Sequence, residues 1–265
     1  MDIIAYINWD ASPEIFRAGP LAIRWYGLLF ALAFVLGYLI MSRIYLGERR
    51  TQKDMEALTL SMIIGTIVGA RLGHCFFYEP VYYLSNPIAI LKVWEGGLAS
   101  HGAAIGILIA LWYYTKKRPK ITMLWVLDRI VIVVALAGFL IRLGNFFNSE
   151  ILGSPSEVPW AVVFSRVDDL PRHPAQLYEA FSYLLIFIYL YFSYQKKKNE
   201  LTDGKLFGLF LILVFGARFV IEFFKEIQTD FETMLPLDMG QLLSIPFIVA
   251  GVFFLWRASR PAKTD

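Results

Sequence analysis

Seven stretches of this 265-residue chain are long and apolar enough to cross about 30 Å of hydrocarbon. They lie near residues 22–44, 57–78, 97–115, 121–141, 175–194, 205–224 and 239–257. Hydrocarbon offers the backbone no water to bond, and a helix satisfies its N–H and C=O groups within one segment. The expectation is an all-α integral membrane protein, a single polytopic domain over 1–265 with about seven transmembrane helices. Composition agrees: 57% of residues are hydrophobic, against roughly 45–50% in an ordinary soluble domain.

The second stretch is interrupted by Gly65, Gly69, Gly73 and Arg71. The four-residue spacing of Gly65 and Gly69 suits close approach of another helix. Residues 79–96 and 142–174 are the long external connections. Both contain proline and aromatic residues, and parts of them are expected along the membrane interface. Met1 to Pro20 has no basic start and carries Asp2, Asp10 and Glu14. It reads as a short exposed N-terminus rather than a cleavable signal. A single cysteine, Cys75, excludes an intrachain disulfide and a CxxC metal site.

Basic residues set the orientation. Arg43, Arg49, Arg50 and Lys53 join the first two spans, and Lys116, Lys117, Arg118 and Lys120 join the third and fourth. Lys196, Lys197, Lys198 and Lys205 join the fifth and sixth, and Arg257, Arg260 and Lys263 follow the last. The opposite side carries Arg17, Arg24, Lys92, Arg142, Arg166, Arg172 and Lys225. Positively charged loops stay in the cytoplasm. The N-terminus is therefore expected outside and the C-terminus inside. The net charge of +3 is modest, and no nucleic-acid partner is read from it.

With that orientation, the polar residues of the spans gather on the outer side. Arg24 and Tyr26 open the first span, and Arg71 and His74 lie toward the outer end of the second. Gly96, Gly97 and His101 open the third. Arg142, Asn145, Asn148 and Glu150 leave the fourth, and Arg218 and Glu222 lie in the outer half of the sixth. Arg218 and Glu222 are spaced i,i+4, and Arg142 and Asn145 i,i+3, so each pair shares a helix face if the helix reaches that far.

Taken singly, each has an ordinary reading. Trp25 suits an aromatic belt, Asn148 and Glu150 suit a loop cap, and Arg218 with Glu222 suits a structural ion pair. Arg129 pairs locally with Asp128, and Cys75 is a small buried residue. Taken together they converge, because charged groups at membrane depth face a protein interior or a polar cavity. Guanidinium groups bind phosphate with two prongs and stay charged, so Arg142 and Arg218 near headgroup depth suit an anionic phospholipid. His101 titrates in a range suited to proton transfer near neutral pH.

No GxSxG, HExxH or cysteine–histidine zinc pattern is present, and neither a metal nor a cofactor is expected. A direct displacement with arginines stabilising a phosphate leaving group fits the residue types; they do not identify the acceptor. A transporter or a non-catalytic lipid-binding protein for an anionic phospholipid remains the alternative. A transporter favours inverted repeats around a midplane site, and no repeat is visible.

These residues fall in an ordered set of motifs: Gly19-Pro20…Arg24-Trp25-Tyr26-Gly27; Gly69-Ala70-Arg71-Leu72-Gly73; Gly96-Gly97…His101-Gly102; Arg142-Leu143-Gly144-Asn145-Phe146…Asn148…Glu150…Gly153; His173-Pro174-Ala175-Gln176-Leu177-Tyr178-Glu179; and Arg218-Phe219…Glu222-Phe223. From about Gly19 to Trp256 the chain resembles the bacterial prolipoprotein diacylglyceryl transferases. The resemblance implies an inner-membrane enzyme that moves the diacylglyceryl group of phosphatidylglycerol to the lipobox cysteine of a preprolipoprotein. A thioether forms and glycerol phosphate leaves.

It also implies roles. His101 would be a candidate base for the thiol, and Arg142 and Arg218 would hold phosphate or stabilise its departure. Tyr26, Asn145 and Glu150 would orient these groups, with Arg71 and Glu222 beside them, and Gly153 would permit a turn. An arginine-assisted route that needs no histidine stays open. The chain departs from the family pattern at Ile141, where glycine is usual, and at Lys225, where arginine is expected. The continuation Glu226-Ile227-Gln228 also departs from it.

Overall fold

The computed structural model describes residues 6–19, 21–93, 96–197, 200–226 and 237–260. Pro20, Lys198, Lys263, Ile227 and Gln228, used in the reading above, lie outside the described residues.

Among the described residues eight α-helices form: α1 (Trp25–Gly47), α2 (Gln52–Phe77), α3 (Pro80–Ser85), α4 (Ser100–Lys116), α5 (Met123–Asn148), α6 (Ala175–Lys197), α7 (Lys205–Glu222) and α8 (Met239–Ala258). A 3₁₀ turn covers Pro87–Leu91. Seven of the helices occupy the seven apolar stretches, and α3 with the 3₁₀ turn lies in the connection between α2 and α4. Five of them, α1, α2, α5, α6 and α8, have the length and apolarity to cross a membrane. The other two differ for local reasons. α4 has only 17 residues, and α7 carries Lys205, Arg218 and Glu222 within 18 residues.

Five short strands add to the helices: β1 (Ile7–Trp9), β2 (Glu14–Ala18), β3 (Leu21–Arg24), β4 (Val162–Phe164) and β5 (Pro171–Arg172). The expected helical fold class holds, and these strands are short additions to it. β1 pairs parallel to β4 with Ile7 opposite Val162, β4 pairs antiparallel to β5, and β2–β3 is an antiparallel hairpin.

The chain divides into two compact units, residues 1–40 with 127–265, and residues 41–126. In the first, α1 and α5 share an apolar seam of Ala33, Leu136 and Leu140, with Leu29, Leu36 and Phe187 against it. α7 and α8 approach closely at Gly208 and Gly251, and Phe215 stacks on Phe247 with ring centres 4.3 Å apart. The start of α7 is held from another helix: the buried Asp128 carboxylate of α5 accepts from Gly204 N at 2.7 Å and Phe207 N at 2.8 Å. That satisfies two of the amide donors a helix start leaves without partners. The three-stranded sheet packs Phe164 and Val162 against Phe146 at the end of α5.

In the second unit the glycine spacing works as expected. A methyl group at Gly65, Gly69 or Gly73 would overlap Gly102, Gly106 or Ala110 of α4. At its opposite end, Tyr45 and Tyr114 meet through their hydroxyls at 3.2 Å, and Arg118 pairs with Asp54 at 2.8 Å.

Candidate functional site

α5 continues through Arg142 to Asn148, so Arg142 and Asn145 share a helical face. Arg142 Nη1 donates to Asn145 Oδ1 at 3.2 Å. Asn145 Nδ2 in turn donates to Glu150 Oε2 at 3.2 Å, and Asn148 Nδ2 to Glu150 Oε1 at 3.1 Å. The main chain of Glu150 is tied as well. Its N–H donates to Asn145 O at 3.0 Å, and its carbonyl accepts from Gln176 Nε2 of α6 at 2.7 Å. Ser149 and Ile151, on either side of Glu150, have φ of 55° and 57°. Such left-handed backbone is uncommon for any residue but glycine and is strained for a β-branched one. Tyr26 lies against Gly144, whose missing side chain leaves room for the ring, and Trp25 stacks on Phe147 with centres 4.7 Å apart.

Glu179 of α6 is fully buried and was given no role by the sequence reading. Arg142 Nε lies 2.7 Å from its Oε2, and Lys225 Nζ lies 3.0 Å from its Oε1. The same ammonium sits 3.0 Å from Glu222 Oε2. Glu222 therefore takes its ion-pair partner three residues on rather than at Arg218, and the departure at Lys225 falls in the middle of the site. Arg218 Nε is buried without a hydrogen-bond partner among the described residues.

Gly153 is not a left-handed turn glycine. A side chain there would overlap the carbonyl oxygen of His173 and crowd that of Phe224, and Gly153 bridges to Lys225 in antiparallel fashion. The expected turn is corrected to a close crossing of three segments. Arg172 reinforces the crossing: Nη1 donates to Gly153 O at 3.2 Å and lies 3.0 Å from Glu226 Oε2. Arg172 also grips Asp168 at 2.5 Å, and that hydrogen bond lowers the Asp168 carboxyl below the ordinary carboxylate range while raising the guanidinium of Arg172.

The first unit thus brings together Tyr26, Arg142, Asn145, Glu150, Gly153 and Glu222, with Arg218 on the same helix as Glu222. His101 and Arg71 belong to the second unit. His101 is exposed in the first turn of α4, with its ring 5.1 Å edge-on from Phe77 and 5.8 Å from Tyr78. Arg71 is 3% exposed, and its guanidinium is committed to main-chain carbonyls. Nε donates to Ile90 O at 2.9 Å, Nη2 to Ala89 O at 2.6 Å and Nη1 to Gly96 O at 2.5 Å. It lies over the Tyr83 ring at 5.0 Å. Arg71 thereby staples Ala89, Ile90 and Gly96 to α2.

Five buried side-chain nitrogen or oxygen atoms lack both a hydrogen-bond and an ion-pair partner among the described residues. Four of them belong to this one region: Asn148 Oδ1, Ser149 Oγ, Gln176 Oε1 and Arg218 Nε. Buried polar atoms are otherwise nearly always paired, with protein or with ordered water.

Residues 13–257 match the family of prolipoprotein diacylglyceryl transferases. The chain belongs to that family. Relatives bearing the name phosphatidylglycerol–prolipoprotein diacylglyceryl transferase agree over nearly the whole length. The one from Chloroherpeton thalassium is 50% identical over 265 residues, 100% of this chain and 99% of the relative. That from Tolumonas auensis is 51% identical over 247 residues, 93% of this chain and 95% of the relative. That from Bacteroides fragilis is 41% identical, covering 96% of each. Membership accounts for the polar cluster on apolar helices: a transferase acting on lipid needs charged groups where lipid headgroups lie.

Proposed function

We propose that this chain transfers the diacylglyceryl group of phosphatidylglycerol to the lipobox cysteine of a preprolipoprotein at the outer face of a bacterial inner membrane. The observation that carries this reading to the site is the set of unpaired buried atoms around Arg142 and Arg218. An unpaired guanidinium N–H suits a phosphate oxygen. The unpaired oxygens of Asn148 and Gln176 suit hydroxyl donors, which a glycerol headgroup supplies. The amide orientations follow from their partners, since the NH₂ groups of Asn148 and Gln176 are used by Glu150.

In the reaction, the cysteine sulfur attacks the glycerol carbon that bears the phosphate. A C–S bond forms as the C–O bond to phosphate breaks, and glycerol phosphate leaves with the electron pair. Arg142 and Arg218 stabilise the charge that develops on the departing phosphate, an electrostatic role that falls away if either guanidinium is lost. The thiol proton passes to a base, for which His101 is the candidate. Tyr26, Asn145 and Glu150 hold Arg142 in place, while Gly153 and Glu222 hold the two chain segments around it. Arg71 acts through the segment it staples.

The seven long helices are read as seven crossings with the N-terminus outside, supported by the basic residues on alternate connections. Labelling from outside intact cells should leave Lys117→Cys unmodified in a Cys75→Ser background; modification would reverse the orientation. The decisive assay mixes the purified chain with phosphatidylglycerol vesicles and a lipobox peptide. A thioether-linked diacylglyceryl peptide and free glycerol phosphate are the expected products. Lipid binding or vesicle flux without product would favour the lipid-binding or transport alternative.

A further inference from the structure

Lys225 stands where the family pattern has arginine, and its surroundings assign it a task other than meeting substrate. Its side chain is 6% exposed, and its ammonium lies 3.0 Å from a carboxylate oxygen on each of two helices, Glu179 of α6 and Glu222 at the end of α7. The main chain around it is held just as firmly. Lys225 N donates to Glu222 O at 3.1 Å, Ser154 N to Phe224 O at 2.9 Å and Glu226 N to Leu152 O at 3.2 Å. Arg142 meets the same Glu179 carboxylate with two nitrogens, Nε lying 2.7 Å from Oε2 and Nη2 donating to Oε1 at 3.3 Å. Arg142, Glu179, Lys225 and Glu222 therefore alternate in sign.

We propose that Lys225 is a positioning residue for phosphate binding: it neutralises Glu179 and Glu222 so that the guanidinium groups of Arg142 and Arg218 stay available to an anionic headgroup. This rests on the reading of the site given above. Without that ammonium the buried Glu179 and the largely buried Glu222 have Arg142 as their one close cation among the described residues, and uncompensated charge in such a place takes any opposite charge within reach. Arg142 already touches Glu179, and Arg218 lies four residues before Glu222 on the same helix. Both would be drawn inward and away from the ligand. Gly240 fits the same scheme. A side chain there would overlap the Glu222 carboxylate, so the glycine at the start of α8 is what lets that carboxylate sit beside Lys225.

The test is a double-mutant cycle on transfer to a lipobox peptide, with phosphatidylglycerol varied. Lys225→Met should raise KM for phosphatidylglycerol by roughly tenfold or more while kcat changes less. Lys225→Arg, which keeps the charge, should stay near the parent. Removing the carboxylate as well, in Lys225→Met/Glu179→Gln, should recover roughly tenfold of the lost kcat/KM. A lysine that touched substrate would give multiplying losses, and that result overturns the proposal. So would a Lys225→Met defect that lies wholly in kcat. If Lys225→Met does not fold in detergent, Lys225→Gln with and without Glu179→Gln runs the same cycle. A parent chain that turns over no phosphatidylglycerol refutes the function itself, which separates the two failures.

Discussion

Arg71 and Arg142 are both guanidinium groups near the ends of long apolar helices, yet the two units of the molecule use them in opposite ways. Arg71 donates to main-chain carbonyls of Ala89, Ile90 and Gly96, acceptors that cannot move without moving the chain. Arg142 faces side chains, Glu179 and Asn145, and the partners of those side chains are charged or polar in turn. One arrangement freezes a segment. The other ties charged and polar side chains to one another. An arginine in a membrane protein is thus no marker of a ligand site by itself; what distinguishes the two is whether its acceptors belong to backbone or to ionisable side chains.

The comparison can be broken at three points. The largest effect is expected at His101. A thiol with pKa near 8.5 is mostly protonated at neutral pH, and a base within reach accelerates attack by about 10²–10⁴-fold. His101→Gln should lose most transfer while keeping phospholipid binding, and the loss should shrink from pH 7 toward pH 9 as solvent supplies thiolate. A pH-independent defect would assign the chemistry to the arginine cluster alone.

Next come Arg142→Ala and Arg218→Ala. Loss of a charge-assisted contact in a desolvated site costs about 2–5 kcal/mol, or roughly thirty-fold to several-thousand-fold in rate. Kinetics on folded protein should show that loss, and Arg218→Lys should restore only part of it, because an ammonium lacks the fork. Near-normal transfer by Arg142→Ala would remove it from the site.

The smallest effect on chemistry belongs to Arg71→Ala. Each buried acceptor left without a donor costs about 1–3 kcal/mol of stability. Thermal unfolding in detergent should shift downward, while turnover per folded molecule falls far less than in Arg142→Ala. Should Arg71→Ala match Arg142→Ala in kcat/KM at unchanged stability, the contrast between the two arginines would collapse.

Much of this was visible in the residue order, and the reason is that local physics decides it. Apolar length placed all seven long helices, though α2 begins five residues before the expected start and α5 runs seven residues past the expected end. Four-residue glycine spacing announced the α2–α4 crossing, and i,i+3 spacing joined Arg142 to Asn145. What escaped is what depends on distant partners. β1 is three residues long and pairs with residues 162–164, so no local pattern announces it. Gly153 looked like a turn because the segments that crowd it, at His173 and Phe224, are far along the chain. Glu179 was quoted only as part of a motif. A lone carboxylate at the start of an apolar span was the available signal, and its two cations come from α5 and from beyond α7. The carbonyl acceptors of Arg71 carry no trace in the sequence.

The left-handed residues at Ser149 and Ile151 set a limit on how this family member can be improved. Conformations of that kind cost roughly 1–3 kcal/mol each and persist only where their surroundings hold them. Here the holding groups are the ones that grip Glu150. Selection for heat resistance would find easy gains at these two positions, where glycine is at ease with positive φ. The same relaxation would loosen the carboxylate between them. Thermal tolerance and turnover are therefore set against each other over three consecutive residues, and lineages that adapt to hotter habitats have reason to seek their stability elsewhere in the chain.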